Sequence, residues 1–169
     1  MKCSVFNSSY TQEVVQLFTT VFSESDNESE GKIIGNLVSE LISTTKAEDL
    51  IGFVATSDER VVGAIFFSRI IVPSEEVAFI LSPVAVATSE QGSGVGQQLI
   101  NYGLRHLKSS GVELAFTYGD PRYYSKVGFS QIDETIVKAP FELSQPEGWL
   151  AQSLSDKPVK AMHGSTRCV

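Results

Sequence analysis

The sequence has little cysteine, little histidine and a deficit of positive charge. Cys3 and Cys168 stand near opposite ends, and neither has a partner at metal-ligand spacing. His106 and His163 are also far apart along the chain. The expectation is idle or buried thiols and no metal. Thirteen Lys and Arg stand against twenty Asp and Glu, a formal net charge of -7. No basic cluster marks a nucleic-acid binder. An acidic surface favours solubility and suits a cationic substrate such as an amine. No apolar run approaches the ~20 residues of a membrane span. The opening MKCSVFNSSY is interrupted by polar residues and does not read as an export signal. These absences lead to the expectation of a cytoplasmic protein without nucleic-acid or membrane partners.

What is present suits one globular domain covering residues 1–169, with 42% hydrophobic and 20% charged residues and no linker or repeat. KCSVF suits a short strand. Ser9, Tyr10 and Thr11 can cap a helix whose Val14, Phe18, Val21 and Phe22 share a face. SESDNESEG, residues 23–31, reads as an acidic loop or a helix start. Ile33, Ile34, Leu37, Val38, Leu41 and Ile42 then mark an amphipathic helix. From Asp49 two β-runs follow, joined by a turn at Ser57, Asp58 and Glu59. Another strand covers residues 76–86, with Pro83 inside it. A glycine loop comes next, then a helix with Leu99, Ile100, Leu104 and Leu107 on one face, stopped by Gly111. Residues 112–118 form a strand. Pro121 starts a short helix, PRYYSKV, which Gly128 ends, and Phe129 opens the last β region. GWLAQSL suits a strand and KPVKAM a weaker one. The order implies a mixed α/β or α+β domain.

The loop EQGSGVGQQLI is the most informative stretch. Gly92, Gly94 and Gly96 permit backbone conformations closed to other residues and a close approach to the main chain. The first amides of the following helix lack internal partners and carry partial positive charge. A pyrophosphate fits there without a basic side chain. A tight turn needing glycine for geometry alone is the other reading. A P-loop requires Lys and then Ser or Thr after its last glycine; here Gln97 and Gln98 follow. A dinucleotide fingerprint, GxGxxG, requires a third glycine where Gln97 or Leu99 stands. Glu113 lies at the distance of a ribose-binding acid but opens a strand instead of ending one. Pro83 lacks an amide hydrogen, which suggests a bulge. Val84, Ala85 and Val86 would then offer main-chain groups to an extended ligand bearing amides. Coenzyme A has amides along one arm and a pyrophosphate at its end. Its arm suits Val84, Ala85 and Val86, and its pyrophosphate suits Gln91, Gly92, Ser93, Gly94, Val95 and Gly96.

These residues resemble the GNAT N-acetyltransferases. The family signature Q/R-x-x-G-x-G/A is matched by Gln91, Gly94 and Gly96, with PVAV before it and YYSKVGF after the next strand. GDPRYYSKVGF, residues 119–129, is similar to a group of small bacterial members whose substrates are mostly undefined. The resemblance is strongest over residues 77–132. It implies the acyl-CoA N-acyltransferase fold: a mixed, mostly antiparallel sheet of about seven strands, flanked by helices. The strands 76–86 and 112–118 would splay to admit acetyl-CoA. It implies acetyl transfer from acetyl-CoA to a primary amine of a small molecule or protein by direct attack. The other reading is a non-catalytic acyl-CoA-binding or regulatory module on the same fold.

In many members a Tyr four residues before the Gly of a GF pair faces the coenzyme sulfur, which here points to Tyr124 as the acid for the leaving thiolate. Tyr123 would pack into the sheet or shape the substrate side. Asp120 can contact substrate or cap the helix that Pro121 starts. No base stands out. Glu75, Glu76 and Glu113 lie far along their strands from Val84, at ~3.3 Å per residue. Glu24, Asp26, Glu28 and Glu30 can attract a cationic amine or simply face solvent. Dimers are common in the family, and the unpatterned tail from Pro140 onwards could contribute to a homodimer.

Overall fold

A computed structural model describes residues 1–169. Its strands are β1 (Lys2–Val5), β2 (Leu50–Ser57), β3 (Arg60–Ile71), β4 (Ala78–Val86), β5 (Leu114–Tyr118), β6 (Ser130–Gln131), β7 (Trp149–Ser153) and β8 (Arg167–Cys168). The helices are α1 (Thr11–Ser25), α2 (Glu28–Thr44), α3 (Val95–Ser109) and α4 (Pro121–Tyr124). The strand order is β1-β2-β3-β4-β5-β7-β6, with β8 on β3. The sheet is mixed and mostly antiparallel: β4 and β5 are parallel, whereas β1–β2, β5–β7, β6–β7 and β3–β8 are antiparallel. No helix is long and apolar enough to cross a membrane.

The chain forms two compact units. The first comprises Met1–Phe66 and Pro83–Tyr102. Here α1 and α2 are joined by only Asp26 and Asn27. The acidic stretch 23–31 is therefore mostly helical, not a loop. The Asn27 side chain accepts the Glu30 amide at 2.9 Å and starts α2, and Glu28 and Glu30 suit the positive end of the helix dipole. The two helices approach closely at Gly31 and Gly35, where a β-carbon would fall 1.8 Å from Ser23 Oγ and 2.1 Å from Thr19 Oγ1. Val14, Phe18 and Val38 pack with Val54, Ala64 and Phe66 of the sheet. Each of these Val and Phe side chains contributes about 1.5–3 kcal/mol when fully buried. Ile33 and Leu37 belong to the predicted apolar face but remain 54% and 50% exposed. The apolar arc of α2 is wider than its packed side, which runs through Gly31, Ile34, Gly35, Val38 and Leu41. The β2–β3 turn falls where the sequence places it, with Asp58 and Glu59 at φ 51° and 64°. Both values suit the twist of a tight hairpin. Glu13 of α1 accepts the Val61 amide at 2.7 Å.

The second unit comprises Phe67–Ser82 and Gly103–Val169. Its core gathers Ile70, Ile80, Leu114, Phe116, Val137 and Trp149. The Trp149 ring stacks on Phe116 at 5.2 Å, and its indole N–H donates to the Val137 carbonyl at 2.9 Å. That bond satisfies a polar group the burial would otherwise strand. The predicted strand GWLAQSL is β7. The predicted weaker strand KPVKAM is irregular, and a shorter one, β8, forms beyond it. Residues there are held by isolated bonds, such as the Met162 amide to the Ile136 carbonyl at 2.8 Å. The last β region begins with only the two residues of β6.

Candidate functional site

The glycine loop sits at the end of β4. The strand runs on through Pro83 to Val86, while its paired register with β5 ends at Leu81 and Thr117. Val84 and Val86 are half-buried and Ala85 is buried. A short 3₁₀ turn over residues 88–90 leads to Gln91, whose side chain donates to the Val86 carbonyl at 3.0 Å. Gln91 thus ties the loop to the strand end and uses one of the two lone pairs of that carbonyl. Gln91, Gly92, Ser93 and Gly94 form the turn, and Val95 and Gly96 begin α3. The Ser93 hydroxyl donates to the Glu90 carbonyl and braces the turn.

Gly92 and Gly94 adopt φ of 85° and 88°, a region costly for residues with a β-carbon. A β-carbon on Gly92 would meet nothing within 4 Å, and one on Gly94 only Gln98 Nε2 at 3.9 Å. Geometry alone therefore explains these two glycines, and the space before them is open. The Gln98 amide makes the first turn's bond to the Gly94 carbonyl at 3.0 Å. The amides preceding Gln98 have no carbonyl partner within the helix. With the helix dipole they make a place for an anion.

Tyr124 ends α4 in the second unit. Asp120 starts that helix: its carboxylate accepts the Arg122 amide at 2.9 Å and pairs with the Arg122 guanidinium at 3.3 Å. The bond from the Arg122 amide, with the Arg122 charge, holds the Asp120 carboxyl below the usual carboxylate range. Asp120 is therefore the helix cap that Pro121 requires at the first position. Gly128 closes the following 3₁₀ turn at φ 94°, and the Phe129 amide bonds back to the Tyr124 carbonyl at 3.2 Å. The Tyr124 ring is held on three sides. Phe129 meets it edge-on at 6.0 Å, Tyr123 at 5.0 Å, and Gly119 lies under its edge.

Burial, helped by Tyr123, pushes the Tyr124 phenol up to about 12, against a smaller lowering by Thr117. Burial also raises Tyr123. Thr117 is buried, and its hydroxyl donates to the Leu81 carbonyl at 2.9 Å. Neither Thr117 nor Gly119 stands out as a site residue in the sequence. Thr117 reads as an ordinary β-former in LAFTY, and its partner Leu81 is 36 residues away.

The carboxylates considered as bases are structural. Glu113 accepts the Val77 amide at 3.2 Å, Glu76 accepts the Ser74 hydroxyl, and Glu75 sits at a turn with φ 68°. No group of three or more His, Cys, Asp or Glu is arranged to hold a metal ion.

A family model described as an acetyltransferase (GNAT) domain matches residues 4–132. An uncharacterized N-acetyltransferase of Escherichia coli, YjhQ, is 31% identical over 139 residues, covering 79% of this chain and 76% of that protein. Among solved structures, a GNAT family N-acetyltransferase of Escherichia coli, YhbS, in complex with CoA superposes with a TM-score of 0.80 at 24% identity, covering 99% of this chain and 89% of the other. A GNAT family acetyltransferase of Brucella melitensis in complex with acetyl-CoA gives 0.68 at 26% identity, covering 96% and 97%.

Proposed function

The chain belongs to the GNAT acetyltransferase family, and on that premise we propose how its own residues move an acetyl group from acetyl-CoA to an amine. The enzyme is an acetyl-CoA-dependent N-acetyltransferase, and the relative from Brucella melitensis holds that same donor. The observation that carries our assignment of the loop is its geometry. Two left-handed glycines open a clear space before the start of α3.

The amides of Gly92, Ser93, Gly94, Val95 and Gly96 receive the pyrophosphate, and Gln91 holds the turn in place. The main chain of Val84, Ala85 and Val86 pairs with the amides of the pantetheine arm. Holding the donor carbonyl beside the amine lowers the barrier by positioning. The amine nitrogen bonds to the acetyl carbon, the carbon–sulfur bond breaks, and Tyr124 gives its proton to the sulfur. Against a thiol's ordinary pKa of about 8.5, a phenol at about 12 gives up its proton uphill. Tyr124 therefore acts late, as charge collects on sulfur. With Glu76 and Glu113 committed to structural bonds, the proton lost by the amine leaves through water.

The acceptor is a primary amine of a small molecule or a protein amino group. The protein works as a single domain over residues 1–169, in the cytoplasm, and as a homodimer. Calorimetry with acetyl-CoA, using ATP and NAD as controls, tests the donor assignment. Micromolar binding of acetyl-CoA alone supports it, and no binding of acetyl-CoA or CoA removes the loop from the site. Thiol release across a panel of primary amines then separates catalysis from mere binding.

A further inference from the structure

We propose that Gln152 is a positioning residue for Tyr124, reaching from the sheet to hold the turn that fixes where the phenol stands. The proposal rests on the reading of Tyr124 as the acid.

Tyr124 closes a helix of only four residues, and a 3₁₀ turn of three, Ser125–Val127, follows it. Helices this short do not hold themselves in water. The place of the Tyr124 ring therefore depends on what anchors the segment at each end. Asp120 anchors the start. At the far end Gly128 turns the chain into β6, which has only two residues. The last carbonyls of a helical turn have no partner within it. Gln152 supplies one from outside: its Nε2–H donates to the Val127 carbonyl at 2.9 Å. The rest of the same amide lies against the next residue. A β-carbon on Gly128 would stand 3.0 Å from Gln152 Oε1 and 3.4 Å from Cδ. One side chain thus bears on both Val127 and Gly128.

Gln152 is itself fixed by the sheet. It sits on β7 opposite Ala115 of β5, and its neighbour Ala151 pairs with Ser130 of β6. From Gly128 the constraint runs back to Tyr124 through Phe129. The Phe129 amide bonds to the Tyr124 carbonyl at 3.2 Å, and the Phe129 ring meets the Tyr124 ring edge-on at 6.0 Å. A shift of Val127 and Gly128 therefore reaches both the main chain and the ring of Tyr124. Transfer is sensitive to such a shift, because an acid must stand within hydrogen-bond reach of the atom it protonates. A leucine at position 152 would fill similar space and leave the Val127 carbonyl without its donor. A glutamate would keep the length and set an ionised acceptor against that carbonyl.

Two measurements test the proposal. In the first, NMR of protein labelled at tyrosine Cζ follows the five tyrosines, with Tyr124→Phe identifying the Tyr124 signal. In Gln152→Leu the Tyr124 signal should shift or split while those of Tyr10 and Tyr102 stay in place. An unmoved Tyr124 signal overturns the proposal, and this result needs no acceptor. The second measures thiol release from acetyl-CoA with the most active of a panel of alkylamines, diamines, amino sugars and lysine peptides. Gln152→Leu and Gln152→Glu should each lower kcat at least about fivefold, with KM for acetyl-CoA within about twofold. In a Tyr124→Phe background, Gln152→Leu should cost less than about twofold. Losses that multiply, or a Gln152→Glu variant as fast as the wild type, overturn the proposal. If Gln152→Leu does not fold, Gln152→Met is read in the same way. Full turnover by Tyr124→Phe would remove the acid reading and the proposal with it. A slow Tyr124→Phe beside a normal Gln152→Leu would remove only the role of Gln152.

Discussion

Gly119 lies directly beneath the ring of Tyr124: a β-carbon there would stand 2.6 Å from Tyr124 Cε2 and 3.3 Å from Cδ2. The ring cannot yield easily, because Tyr123 and Phe129 also contact it. Gly119→Ala should therefore displace the Tyr124 ring. Overpacking of this kind costs about 1–3 kcal/mol, measurable as a lower urea midpoint. The expected kinetic result is a lower kcat with little change in acetyl-CoA affinity.

Tyr124→Phe removes the hydroxyl and keeps the ring. It should lower kcat at least about tenfold while KM for acetyl-CoA stays within about threefold, since the interaction matters in the transition state. The same variant carries a pH prediction. The phenol is raised from an ordinary value of 10.0 to about 12. Below pH 10 it is neutral in folded and unfolded chains alike. As pH rises from 10 toward 12, the unfolded chain loses the proton and the folded chain keeps it, so stability falls. Tyr124→Phe lacks this titration. Its urea midpoint should drop less between about pH 9 and about pH 11 than that of the wild type.

Gly92 and Gly94 separate two effects that one substitution would mix. A β-carbon on Gly92 has free space, so Gly92→Ala carries mainly the left-handed backbone cost of about 1–2 kcal/mol. Gly94→Glu adds a side chain and a negative charge where we propose that the pyrophosphate binds. It should weaken acetyl-CoA binding by at least about tenfold in calorimetry, beyond any loss seen for Gly92→Ala. Equal affinities in the two folded variants would remove the anion role.

Asp120 gives a contrast of charge against capping. Asn retains a side-chain oxygen for the Arg122 amide, and Ala does not. Asp120→Asn should keep near wild-type turnover and melting temperature. Asp120→Ala should melt earlier and lose turnover through the displaced α4. A large loss of turnover in the folded Asn variant would assign the carboxylate a substrate contact instead.

The candidate site was read from local signals: Gln91 and Gly94 fall on one turn, Gly96 follows in the first turn of α3, and Tyr124 is four residues from Gly128. The closeness of Gly119 to the Tyr124 ring was not legible, since folding of the 119–124 turn brings them together. The acidic stretch 23–31 left a loop and a helix start both open, and the Asn27 cap settles it as the end of α1 and the start of α2. The segment 157–162 has strand-like alternation but no strand. The pairing at β8 involves two residues whose partners lie 96 and 98 positions away along the chain, beyond any local pattern.

That pairing has a consequence for the state of the protein in solution. Ile70 and Ile71 end the long strand β3, and Cys168 and Arg167 cover their hydrogen-bonding edge. Ile71 is already 39% exposed. Without the last turn of chain, an apolar strand edge would lie open to the same edge of another copy. The two residues of β8 thus serve as a guard against sheet-to-sheet aggregation.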